Sequence, residues 1–247
     1  MDGKSALGAP PSLRELCDSQ RIALFLDFDG TLIDIAATPD GIDLPARLGD
    51  RLFALSERLG GRLALVSGRS ISNLQDHIGS LRVARAGSHG AARQRADGSL
   101  IGQEPTGLPQ AVYDALRDFS AEQGFEMESK AHGAALHFRS NPSLEKTGLE
   151  FAEQVAHSHE LAIKRGKCVI ELVRPGADKG GAVRAFMEEQ PFVGALPIFI
   201  GDDVTDEDGF SGVADKGGFG IIVGDREKTL ARYRLSNPEK VHEWLEL

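Results

Sequence analysis

Apolar residues in this chain fall into short unbroken runs, separated by stretches with helical spacing. Ile22–Asp27 is apolar up to its last residue, the pattern of a parallel strand covered on both faces. Leu44–Gly60 sets Leu48, Leu52, Leu55 and Leu59 on one helical stripe, with Pro45 near its start and Gly60 at its end. Residues 62–68 predict a second strand, 70–79 a helix and 81–90 a third strand. This β-α-β-α-β order predicts an α/β sheet. The texture changes near Gly107. A helix over 108–124, strands over 125–130 and 134–140, a helix over 143–159 and strands over 161–166 and 167–173 form an α+β pattern. The α/β pattern then resumes. It predicts a helix over 178–190, a strand over 195–203, a short helix over 205–215, a strand over 218–224 and a terminal helix over 237–247. We therefore expect an α/β parallel-sheet core over 20–107 and 173–247, interrupted by an inserted α+β module over 108–172. Residues up to Ser19 read as a loose arm, because "GAPPS" breaks regular structure.

Composition narrows the partners. The net charge of −9 disfavours nucleic acid, which wants clustered Lys and Arg. A small anionic substrate stays open, since a local site can oppose the global charge. Cys17 and Cys168 are far apart and read as reduced thiols of an intracellular, cytoplasmic protein. The N-terminal residues lack the apolar stretch of a signal peptide. No apolar run approaches the roughly 18–20 residues that span a bilayer. Neither a membrane nor an obligatory protein partner is expected.

Three apolar strands end in polar residues: Asp27 and Asp29, then Ser67, then Asp202 and Asp203. In open α/β sheets ligands sit beyond the carboxyl ends of the strands, so these ends can converge. Carboxylates held close repel unless a cation intervenes. Asp27, Asp29 and Asp202 could hold a hard cation, and Mg²⁺ is the usual one where phosphate adds oxygens. These loops contain no cysteine or histidine, which argues against zinc. An aspartate there can attack a phosphoryl group, and a second one two residues on can move the proton. Ser67 could hold the phosphoryl group, and Lys179 could neutralise it. Taken singly, each of these has a plain alternative. Asp27 and Asp29 could form a solvated turn. Ser67 could be a helix cap, and Lys179 a surface lysine. Glu207 and Asp208 read as favourable charges at a helix N-terminus. His137 reads as structural, and Phe119, Phe125 and Phe151 as core.

"DFDGTL", "SGR", the lysine of "DKGGA" and "GDDVTDED" resemble the four signature segments of haloacid dehalogenase-type (HAD) phosphatases. "GSHGA", "ESK", "HFR" and "GKCVIE" extend the resemblance to trehalose-6-phosphate phosphatases. The resemblance implies a Rossmann-like HAD core with an inserted cap of the C2B type that sets sugar specificity. It implies Mg²⁺ as cofactor and a sugar phosphate as substrate. Asp27 would be nucleophile and metal ligand, and Asp29 acid/base with its carbonyl on the metal. Ser67 and Lys179 would bind phosphate, and Asp202 would be the third ligand. Asp203 and Asp206 would tune the metal's surroundings. Gly68, Arg69, His89 and Gly90 would line the substrate. Glu128, Lys130, Lys167 and Glu171 of the cap would bind sugar hydroxyls. The implied reaction is hydrolysis of trehalose 6-phosphate through an aspartyl-phosphate. A HAD phosphatase for sucrose 6-phosphate or mannosyl-3-phosphoglycerate is the alternative. An inactive sugar-phosphate sensor would need a broken D-x-D or a missing lysine, and both are intact. A phosphomutase shares the nucleophile, but no mutase segment is recognisable. Two departures from the pattern are "GS" before His89 and the adjacent Pro175 and Gly176.

Overall fold

The structure, a computed structural model, describes residues 7–35, 44–79, 82–102, 106–130, 132–166 and 168–247. The segment before the first strand is a helix, not the loose arm expected. α1 (Leu13–Ser19) begins on a capping box in which Ser12 Oγ accepts the Glu15 N–H and the Glu15 carboxylate accepts the Ser12 N–H. Leu13 and Leu16 then anchor it in the core. β1 (Ile22–Leu26), α2 (Leu48–Arg58), β2 (Leu63–Val66), α3 (Ile71–Ile78) and β3 (Ala84–Gly87) follow in the expected order. β1 stops one residue before Asp27, whose N–H still reaches the Ile200 carbonyl. β4 (Ala92–Gln94) turns back antiparallel against β3. It has no apolar alternation to announce it, and its three residues are half-buried.

Residue contacts divide the chain into two compact units, Met1–Gln103 with Asp178–Leu247, and Glu104–Ala177. The second unit holds α4 (Gln110–Gln123), β5 (Glu126–Lys130), β6 (Gly133–His137), α5 (Glu145–His159), β7 (Ala162–Gly166) and β8 (Val169–Val173). The first unit resumes with α6 (Lys179–Met187), β9 (Leu196–Gly201), α7 (Asp206–Ala214), β10 (Phe219–Val223), β11 (Tyr233–Leu235) and α8 (Pro238–Leu245). β11 is a short edge strand that the apolar pattern did not predict.

Strand order in the first unit is β11-β10-β9-β1-β2-β3-β4, parallel throughout except for the β3–β4 pair. β1 is buried on both faces. Ile22, Leu24 and Leu26 enter one apolar cluster, and Ala23 and Phe25 enter the other. That explains its unbroken apolar run. Because β9, β1 and β2 are neighbours, the polar residues after all three emerge at one sheet edge.

The second unit is an antiparallel sheet of order β5-β6-β8-β7. Met127, Ala134, Leu136, Ile163, Ile170 and Leu172 face a core shared with Val112, Leu116 and Ala152 of the two helices. Phe119 stacks on Phe151 with ring centroids 3.8 Å apart. No helix among the described residues is long and apolar enough to cross a membrane.

Candidate active site

Asp27, Lys179 and Asp206 form a chain of buried charge. Lys179 Nζ lies 2.7 Å from Asp27 Oδ1 and 2.6 Å from Asp206 Oδ1. Lys179 sits at the first position of α6, which Asp178 caps by accepting the Gly181 N–H. Asp206 Oδ2 accepts the main-chain N–H groups of Asp202 and Asp203. Asp206 therefore shapes the loop after β9 as well as pairing the lysine. Burial alone would discharge Lys179, but Asp27 and Asp206 outweigh it and hold its ammonium above the ordinary lysine range. Burial pushes Asp27 well above the usual carboxylate range. Asp206 adds to that push, and Lys179 opposes it.

Asp202 supplies the next carboxylate. Asp27, Asp202 and Asp206 each bring an oxygen within 4.8 Å of the other two. Burial first, then Asp206 and Asp203, push Asp202 up to about 6. Its Oδ1 is buried without a hydrogen-bond partner. Gly30, at φ 76°, leaves the room it occupies, because a Cβ there would lie 2.2 Å from Asp202 Oδ2. Both Asp206 oxygens are already committed, so Asp27 and Asp202 carry the spare donor capacity. An all-oxygen set with an orphaned buried oxygen suits a hard divalent cation. The Asp29 carboxylate is not a member of this cluster.

Asp29 instead receives a two-pronged ion pair from Arg69, Nε to Oδ2 at 2.7 Å and Nη2 to Oδ1 at 2.6 Å. Ser67 is fully buried after β2, and its Oγ accepts the Arg69 N–H at 3.1 Å. Ser88 and His89 both take positive φ, 50° and 56°, in the turn after β3. The His89 N–H donates to the Ser67 carbonyl, and its imidazole packs over Gly68. Gly90 abuts the Asp178 carbonyl. Asp203 is exposed and pairs with Arg226 at 3.3 Å.

In the second unit, Glu128, Ala135, Glu171 and Lys164 lie in one register row across the sheet, on the face opposite the apolar core. Lys130 Nζ reaches Glu171 Oε1 at 3.1 Å, and His137 Nε2 meets Glu128 Oε2 at 2.9 Å. Lys167 lies outside the described residues.

A family model described as trehalose-phosphatase matches residues 25–239. The chain belongs to the trehalose-phosphatase family. Its members are phosphoric monoester hydrolases. A trehalose-6-phosphate phosphatase of Escherichia coli is 37% identical over 232 residues, which cover 93% of this chain and 87% of that protein. The C-terminal domain of C. albicans trehalose-6-phosphate phosphatase superposes with a TM-score of 0.75 at 22% identity over 98% of each chain. A HAD-superfamily phosphatase from Bacteroides thetaiotaomicron shares the fold at a TM-score of 0.68 and 14% identity, over 92% of this chain and 94% of that one. The fold is thus the Rossmann-like HAD core with an inserted cap.

Several contacts in this trehalose-phosphatase family chain were not legible beforehand. Arg69, expected to line substrate, is engaged with Asp29. Glu207, expected as a plain helix-start charge, also accepts the Leu230 N–H at 2.7 Å. Lys164 joins the polar row because its register places it opposite Glu171. The period-two alternation of "LAIKRG" carries that signal once the strand pairing is known.

Proposed function

We propose that this protein hydrolyses trehalose 6-phosphate to trehalose and phosphate. The observation that carries the reading is the buried Asp27–Lys179 pair beside the orphaned Asp202 oxygen. Asp27 attacks phosphorus, and the bond from phosphorus to the sugar oxygen breaks. Asp29 enters this step as its carboxylic acid, turned out of the Arg69 ion pair, and gives its proton to the departing sugar oxygen. Asp29 then takes a proton from water as that water attacks phosphorus, which frees Asp27 and inorganic phosphate. Lys179 stays protonated and, with Ser67, holds the phosphoryl oxygens. Asp27, Asp202 and the Asp29 main-chain carbonyl would hold Mg²⁺, whose charge offsets that of the phosphoryl group. Asp206 fixes Lys179 and the Asp202 backbone, and Asp203 stands beside them. Gly68, after β2, and His89 and Gly90, in the turn after β3, would border the phosphoryl site. Glu128, Lys130, Lys167 and Glu171 of the inserted module offer both donors and acceptors, which suits sugar hydroxyls.

The test is phosphate release from trehalose 6-phosphate, sucrose 6-phosphate and mannosyl-3-phosphoglycerate, each with and without Mg²⁺. Release from trehalose 6-phosphate should exceed the others and should vanish in Asp27→Asn. Preference for another sugar phosphate would overturn the substrate assignment. Turnover that survives Asp27→Asn would overturn the mechanism.

A further inference from the structure

We infer that Lys164 is a specificity-determining residue of the inserted module, and that with Glu171 it takes one vicinal pair of sugar hydroxyls. The inference rests on the sugar-binding role proposed for the polar face of the module. β7 is an edge strand of the antiparallel sheet, beside β8. Its register sets Lys164 opposite Glu171, and the row continues through Ala135 to Glu128. Ile163, one residue away, packs against the apolar core, so Lys164 lies on the polar face. Lys164 is half-buried there, whereas the neighbouring Arg165 side chain is 58% exposed and pairs with Glu145. A lysine that served only as a solvated edge charge would resemble Arg165 in exposure.

Three strand spacings separate Lys164 from Glu128, about 14 Å, a length that suits two sugar rings better than one. Ala135, fully buried in the middle of the row, brings no polar side-chain atom. Polar recognition therefore divides between the two ends. At one end His137 Nε2 meets the Glu128 carboxylate at 2.9 Å. At the other, Lys130 takes Glu171 Oε1 at 3.1 Å, and the Glu171 side chain is 15% exposed. A carboxylate only accepts hydrogen bonds and an ammonium only donates them, whereas a sugar hydroxyl does both. Glu171 accepts from one ring hydroxyl, and Lys164 donates to its neighbour. Side chains opposite each other on paired strands stand about 5 Å apart, close enough for adjacent hydroxyls to meet both. Lys164 touches the sugar in this scheme and takes no part in phosphoryl transfer.

Steady-state kinetics on two substrates test the role, because p-nitrophenyl phosphate carries no sugar. Lys164→Met keeps the stem and loses the ammonium. It should raise KM for trehalose 6-phosphate about fivefold, leave kcat within about twofold, and leave both constants for p-nitrophenyl phosphate within about twofold. Lys164→Arg keeps a cationic donor and should recover most of the KM. The same rise should appear when Lys164→Met is added to Glu171→Gln, because each residue has its own hydroxyl; a lysine that only props Glu171 would have nothing left to lose. Glu171→Gln alone is the reference. If it leaves KM for trehalose 6-phosphate unchanged, the sugar role of the module fails and the inference falls with it. If Glu171→Gln raises KM while Lys164→Met does not, the role of Lys164 alone is overturned. A KM effect of Lys164→Met that disappears in the Glu171→Gln background would overturn the direct contact. Lysines on edge strands also keep sheets from pairing. Self-association of Lys164→Met on size-exclusion chromatography, with KM unchanged, would assign the residue to that duty and overturn the inference.

Discussion

Lys179 is the residue on which the buried charges depend. With Asp27 and Asp206 both against it, removing its ammonium leaves two buried carboxylates without a counter-charge. Breaking such a group by deleting one partner costs about 3–5 kcal/mol. Lys179→Met should therefore unfold at markedly lower urea concentration than the wild type, and it should release no phosphate. Asp27→Asn behaves differently. It removes a carboxylate that burial and Asp206 already push toward neutrality, and Lys179 keeps Asp206 as partner. Its melting temperature should equal or exceed that of the wild type while turnover is lost, so stability and activity separate at one position. At this scale much could be read in advance. Lys179 and Asp202 stand out because each follows or precedes an apolar run in a recognisable order. Arg69 was legible as a charge near the site, but its partner was not, because Asp29 lies on a different strand end.

Helices and strands position these residues through close approach. Gly212 of α7 faces Gly180 of α6, and a Cβ there would lie 2.8 Å from the Gly180 Cα. α6 carries Lys179 next to that contact. Gly212→Ala should cost about 1–3 kcal/mol by overpacking. It should also lower kcat, because any shift of α6 moves the ammonium; calorimetry and phosphate release check the two effects. In the inserted module the polar face carries both signs, with Glu171 opposite Lys164 in register and in contact with Lys130. Glu171→Ala should raise KM for trehalose 6-phosphate several-fold, with kcat for p-nitrophenyl phosphate unchanged, as measured by steady-state kinetics. Elements with strong periodicity were all legible: β1, α2, β9, β10 and the helix-hairpin pattern of the module. α1 was hidden by the two prolines ahead of its capping box. β4 and β11 are short edge strands whose pairing, rather than their own composition, makes them strands.

For the molecule as a whole, pH and cation binding are linked through Asp202. Its folded-state value of about 6 lies above the ordinary value of 3.8, so the folded protein holds that proton more tightly than the unfolded chain does. The associated stability is fully present below the unfolded value and is lost as pH rises through the folded one. In EDTA, Asp202→Asn should therefore stabilise the protein more at about pH 7.5 than at about pH 5. At the higher pH, Mg²⁺ should raise the melting temperature of the wild type and not that of Asp202→Asn. Equal shifts in both proteins would show that Asp202 does not hold the cation. The net charge of −9 says little about any of this, because a few buried groups decide the local balance. By itself the sequence determined the candidate polar residues at the strand ends, the α/β core with an α+β module inside it, and the family, since these rest on local order and apolar periodicity. Only the tertiary structure decided which charges share a partner. The order β9-β1-β2 sets Asp27, Ser67 and Asp202 side by side, gives Asp206 to Lys179 and gives Arg69 to Asp29. Such pairings depend on distances of a few ångströms between segments far apart in the chain, and no local pattern encodes them.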